Sequence, residues 1–135
     1  MININKKFEH CPYKKINDQT AVVDASPHRL VSVLYSGLLE QLSITKGCID
    51  RIDIEGRSRA INKSVFILGG LYECIDEEIG NGYLAGNLKD LYNYMIQRLS
   101  AANITSDEKI IDEVINLLLP IQKAWLVISI GSQKQ

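Results

Sequence analysis

Histidine is almost missing from this chain: two residues in 135, His10 and His28. A carboxylate-bridged two-metal bundle needs Glu-x-x-His pairs that project inward, and neither histidine follows a glutamate by three. A phosphotransfer bundle needs an exposed histidine in mid-helix, and there is none. His10 adjoins Cys11, but the pair sits in a stretch without periodicity and makes a poor nucleophilic site. Cysteine is scarce as well, with three residues, an odd number, and no Cys-x-x-Cys pair; reduced thiols are the expectation. The net charge of −1 and pI of about 6.1 lack the clustered basic excess of a nucleic-acid binder. Lys6-Lys7 and Lys14-Lys15 read as a solvated leader. "MININKKFEHCPYKK" has no apolar signal core. No run approaches the ~18 apolar residues of a membrane span; "INLLLPIQKAWLVISI" is interrupted by Asn116, Pro120, Gln122 and Lys123. No phosphate loop or paired-carboxylate site is visible, and Asp76, Glu77 and Glu78 read as a solvated helix end. The chain is therefore read as a non-enzyme without cofactor or metal, binding no nucleic acid and inserting in no membrane.

Aliphatic residues at helical spacing make up the rest. Residues 1–24 show no sustained pattern and read as an N-terminal arm. Ser26 then offers an N-cap and Pro27 a first helical position, opening a helix over 27–52 and a turn at Asp53–Gly56. The second helix is expected over 58–79, where Ile61, Val65, Leu68, Tyr72, Ile75 and Ile79 recur at steps of four and three. Gly69-Gly70 inside it costs roughly 1 kcal/mol per glycine, which close packing on a neighbouring helix would explain. "GNG" at 80–82 is a turn. The third helix is expected over 83–102 with a stripe of Leu84, Leu88, Leu91, Met95, Leu99 and Ala102. Thr105 and Glu108 fit a capping box ahead of a fourth helix over 106–130, striped by Ile111, Val114, Leu118, Ile121, Trp125 and Ile128. Pro120 should kink that helix, at ~3 kcal/mol if unrelieved. Short loops imply antiparallel neighbours, so the expected fold is all-α: an up-down-up-down four-helix bundle over 25–132, with the arm before it and a tail at 133–135.

The apolar surface exceeds what such a bundle needs. In the fourth helix Ile115, Leu119, Leu126 and Ile130 widen the apolar arc to roughly 200°. The stretch "DASPHRLVSVLYSGLLEQL" at 24–42 is similarly broad. Contiguous surface of this kind calls for a cover: a second protomer, the arm, or a partner helix laid into a groove. The alternative is a bulky core with scattered exposed leucines.

Four pieces of the chain, in order, also resemble the flagellin-specific export chaperones, the FliS family. Tyr13 stands about where those proteins carry a tyrosine in the N-terminal arm. "ASPHRLVSVLYSG" resembles their helix-one opening, A-S-P-x-x-L-I-x-M-L-Y-D-G-A. "GNGYLAGNLKDLYNYMIQRLSAAN" resembles their most specific block, G-G-x-I-A-x-N-L-x-x-L-Y-x-Y-M-x-x-R-L-x-x-A-N. "DEVINLLLPIQKAW" resembles a fourth-helix pattern that ends in Ala-Trp. The sequence departs from the pattern at Ser36, Leu38, Asn81 and Pro120.

The resemblance implies a cytoplasmic chaperone that binds the disordered C-terminal segment of flagellin. It would prevent premature polymerisation and assist export, with the cytoplasmic domain of the flagellar export gate as a further partner and no catalysis or cofactor. The alternative is a homodimeric bundle of structural or regulatory use. For the client groove the candidates are Leu34, Tyr35 and Leu38 on the first helix, with Leu91, Ile115 and Leu119 on its neighbours. Tyr13 is the candidate tip of a lid formed by the arm. Asn87, Tyr92, Arg98 and Trp125 belong to the matching motifs and are expected to organise packing.

Overall fold

The computed structural model describes residues 27–75 and 82–133, and the side-chain surroundings of 29–75 and 86–127. Expectations placed on Tyr13, the arm, the Ser26 cap, Gly80 and Asn81 lie outside these residues. Four helices follow in order: α1 (Pro27–Asp50), α2 (Ile54–Cys74), α3 (Gly82–Thr105) and α4 (Glu108–Gln133). There is no strand among the described residues. α1 packs on α2 and α4, and α3 packs on the same two, so consecutive helices are neighbours around a square. The three-residue link between α1 and α2 and the two-residue link between α3 and α4 force antiparallel pairs.

The links show how the sequence stops and restarts a helix. Asp53 N donates to Cys48 O at 2.8 Å and Ile52 N to Ile49 O at 3.1 Å, the paired bonds of a Schellman ending. Ile52 occupies the left-handed position, at φ 56°, where glycine is usual. Asp53 then caps α2, its Oδ1 accepting from Gly56 N at 3.0 Å. Gly56, expected in a turn, is instead in the first turn of α2. A Cβ there would lie 2.4 Å from Asp53 Oδ2 and 2.9 Å from Cys48 Sγ, so close approach explains the glycine.

The second link differs from the expected capping box. Thr105 closes α3, its Oγ1 donating back to Ala101 O at 3.0 Å. Ser106 takes the left-handed position, at φ 57°, with its N–H on Ala102 O at 2.8 Å. Asp107 is the cap of α4, accepting from Lys109 N at 3.0 Å. A short carboxylate adjacent to the helix start outcompetes a hydroxyl two residues earlier. α4 continues through Pro120 as one helix; the proline is exposed, where water can serve the freed carbonyl. Gly69 has nothing within 4 Å of where its Cβ would be, so packing does not explain it; Gly70 is buried.

The core runs the length of the bundle. Leu38 and Leu42 of α1, Leu68 of α2, Met95 and Leu99 of α3, and Ile111, Val114 and Leu118 of α4 are fully buried. The buried hydroxyls of Thr45 and Ser64 donate to the carbonyls of Gln41 and Ala60, one turn back, so they add no unsatisfied polar group. Of the cysteines, Cys48 is buried and free.

Polar links fix the relation of the helices. Arg57, in the first turn of α2, donates to Ser106 Oγ and, at 2.9 Å, to Asn103 O. Ser58 Oγ donates to Asn103 Oδ1 at 3.1 Å. Lys46 near the end of α1 meets Asp112 near the start of α4 at 2.6 Å. The α1–α2 and α3–α4 links therefore share one end of the bundle, as alternating helix directions require.

Candidate functional site

The helices position the groove candidates on different sides of the bundle. Tyr35 is 4% exposed and Leu38 fully buried. Both are core, not groove wall: each faces inward between its neighbours, and the breadth of the apolar arc on α1 hid which residues do so. Leu34, Leu91 and Ile115 are half-buried against the core, and Leu119 is 47% exposed.

Ile115, Leu119, Gln122 and Leu126 recur at steps of four, three and four along one stripe of α4. That stripe borders α1, because Gln122 Nε2 donates to Ser36 Oγ at 3.5 Å. Leu34 lies ~160° around α1 from Ser36, on the flank towards α2, where Gly37 meets Ile67. Leu91 is two turns before Arg98 on one face of α3, and Arg98 reaches α4. The candidates thus occupy three flanks, α1–α4, α1–α2 and α3–α4, with no shared pocket. Leu126 and Val127 extend the exposed apolar surface along α4.

The motif residues form the frame between these flanks. The hydroxyls of Tyr35 and Tyr92 hydrogen-bond to each other in the core, joining α1 to α3. Burial raises both phenols above the ordinary tyrosine range, Tyr92 the further because the Tyr35 hydroxyl adds to the effect, so both stay neutral. On the α3–α4 flank, Glu113 accepts from Tyr94 Oη at 2.6 Å and from Arg98 Nε at 2.7 Å. Those two hydrogen bonds hold the Glu113 carboxyl below its usual range. Lys89 sits 5.2 Å from the ring centre of Tyr72, linking α3 to α2. Asn87 is exposed and Trp125 half-buried.

Among the described residues, no group of three or more His, Cys, Asp or Glu is placed to hold a metal ion, and no helix is long and apolar enough to cross a membrane. What the arrangement offers is exposed aliphatic surface on a polar-pinned scaffold. Sequence reasoning missed Phe66 of α2, which is 68% exposed. The available signal was that Phe66 lies off the Ile61–Val65–Leu68–Tyr72 stripe.

The family model described as "Flagellar protein FliS" matches residues 9–132. A Pseudomonas aeruginosa protein named flagellar secretion chaperone FliSB is 44% identical over 113 residues, spanning 84% of this chain and 89% of the relative. A Salmonella typhimurium protein named flagellar secretion chaperone FliS is 37% identical over 118 residues, 87% of each chain. An Escherichia coli protein of the same name is 33% identical over 114 residues, 84% of this chain and 83% of the relative.

Proposed function

The chain belongs to the flagellar protein FliS family, and from that premise we propose that it is a cytoplasmic secretion chaperone that holds the C-terminal segment of flagellin. It keeps that segment from polymerising early, assists its export and presents it to the cytoplasmic domain of the export gate. It does so as a binding protein, without catalysis or cofactor. The observation that carries the reading is the match along nearly the whole chain to proteins named flagellar secretion chaperones.

Physical features support it. A filament-forming segment is apolar, and its holder must offer apolar surface in more than one place if the client wraps around it. Leu119 and Ile115 on the α1–α4 flank, Leu34 on the α1–α2 flank and Leu91 on the α3–α4 flank are such places, and Leu126 and Val127 continue the first. Wrapping a disordered client distributes modest affinity over a large area, because ordering the client costs free energy on binding. Tyr13, outside the described residues, keeps its proposed role as a lid on sequence grounds alone.

Co-purification with the flagellin C-terminal segment tests the reading. Leu119→Glu places a charge on exposed apolar surface and should weaken binding at least about tenfold, the equivalent of ~1.4 kcal/mol, while leaving the circular dichroism spectrum unchanged. If the native protein retains no flagellin segment, the client assignment fails. If Leu119→Glu binds normally, the α1–α4 flank is not part of the site.

A further inference from the structure

Pro120 sits in the middle of α4 with its ring exposed. A proline there weakens the helix, because it has no N–H and crowds the carbonyl four residues back. Its exposure means that no packing offsets that cost. A residue that breaks a local rule and contributes no burial points to a use outside folding.

The carbonyl that loses its helical donor is that of Asn116. Asn116, Pro120, Lys123 and Val127 recur at steps of four, three and four, so they share one outward stripe of α4. All four are exposed. Leu119, 47% exposed, and Leu126, 44% exposed, border the stripe on the side towards α1, and Ala124 is exposed on its other side. Helix carbonyls point towards the C-terminus, so the freed acceptor opens onto this surface. Between Asn116 and Val127 the only charged side chain is Lys123. A polar acceptor therefore stands at the edge of an apolar strip.

That combination selects its occupant. Water serves the carbonyl while the strip is bare, and an apolar chain laid over the strip expels the water. Covering the carbonyl without a new donor leaves a buried unsatisfied acceptor, which is unfavourable. The occupant must therefore bring a free N–H together with its apolar side chains. The interior of a helix cannot do so, since each N–H there is already bound within the helix. An extended stretch of chain can, with main-chain hydrogen bonds giving affinity and alternate side chains giving specificity.

We propose that the Asn116 carbonyl, released by Pro120, accepts a backbone N–H from an extended, apolar stretch of the client. This rests on the reading of the chain as a secretion chaperone and adds a position and a conformation to it: the client crosses the middle of α4 as extended chain, not as helix. Pro120 is a positioning residue, acting through the carbonyl it releases.

Calorimetric titration of the full chain with a synthetic flagellin C-terminal segment tests it, with thermal melts alongside. Pro120→Ala returns an N–H to the helix and occupies the acceptor. It should raise Tm and yet weaken segment binding at least about tenfold. A merely structural role for Pro120 gives no such opposition, because a better-formed helix would bind as well or better. A second measurement reads the bond itself. In a saturated complex of chaperone labelled at its carbonyl carbons with segment labelled at its amide nitrogens, a scalar coupling across the hydrogen bond should join the Asn116 carbonyl to one segment amide. A native chain that binds the segment no more tightly than Pro120→Ala overturns the inference and leaves the chaperone reading standing. So does a saturated complex without that coupling. The same coupling to an amide of a second copy, in the chaperone alone, would give the acceptor to self-association and also overturn it. A native chain that binds no segment removes both readings.

Discussion

The phenol of Tyr35 on α1 and the phenol of Tyr92 on α3 hydrogen-bond to each other inside the bundle, joining the two helices that do not sit side by side around the square. Neither hydroxyl is replaceable alone. Tyr35→Phe or Tyr92→Phe leaves a buried polar group without its partner and should cost about 1–3 kcal/mol. The double variant removes both groups and should cost less than the sum of the two singles. Urea unfolding of the four proteins measures the coupling; strictly additive singles would mean that the pair contributes nothing jointly.

Ile52 is a β-branched residue held at φ 56° and 81% exposed. Its side chain contributes little packing, while its backbone occupies a region that L residues enter at a cost of roughly 1–2 kcal/mol. Ile52→Gly should therefore stabilise the protein by about 1 kcal/mol, raising Tm by a few degrees. A lowered Tm would show that the left-handed ending is not the strained element it is taken to be.

Two glycine-to-alanine changes should act in opposite directions. Gly69→Ala enters open space in mid-helix and should stabilise by about 1 kcal/mol. Gly56→Ala drives a methyl group into the Asp53 carboxylate and the Cys48 sulfur, displacing the α2 cap, and should destabilise by about 1 kcal/mol or more. Thermal melts of the two variants side by side would read the signs.

Acid should weaken the α3–α4 flank. Glu113 titrates below its unfolded value because Tyr94 and Arg98 hydrogen-bond its charged form. Its contribution to stability is therefore present above the unfolded glutamate range, near pH ~4.3, and is lost as pH falls through the folded value. Glu108 runs the other way: desolvation and nearby Asp50 raise its pKa, so protonating it in acid favours the fold. Glu113→Gln should flatten the loss of stability below about pH 4, measured by denaturant midpoints across pH. An unchanged pH profile would remove Glu113 as a contributor.

The helices were legible because their stripes have one period and their breaks concentrate turn residues. Leu68, Met95, Leu99, Val114 and Leu118 all sit where the stripes place them, at the core. Boundaries were harder. α2 begins at Ile54, four residues before the expected start, because Asp53 is its cap and Gly56 was misread as a turn. The left-handed residues proved to be Ile52 and Ser106, neither a residue type that signals the conformation. The site was least legible. Apolar breadth on α1 shows that surface is in excess without telling Tyr35, which turns inward to Tyr92, from Leu34, which stays half-covered on a flank. That distinction depends on where α3 lies, which sequence spacing on α1 does not encode. The Arg98–Glu113–Tyr94 clasp was equally invisible, since its members come from two helices.

Cys48 gives the first link a reporter of its own. Its thiol is buried, 3.9 Å from the Asp53 carboxylate and packed so close to Gly56 that a Cβ there would lie 2.9 Å from the sulfur. An alkylating reagent can reach it only when the α1–α2 corner opens. The modification rate is then the intrinsic thiol rate multiplied by the fraction of time the corner is open, wherever closing outpaces reaction. One native side chain thus converts a local opening equilibrium into a chemical clock, readable by mass spectrometry without an introduced label.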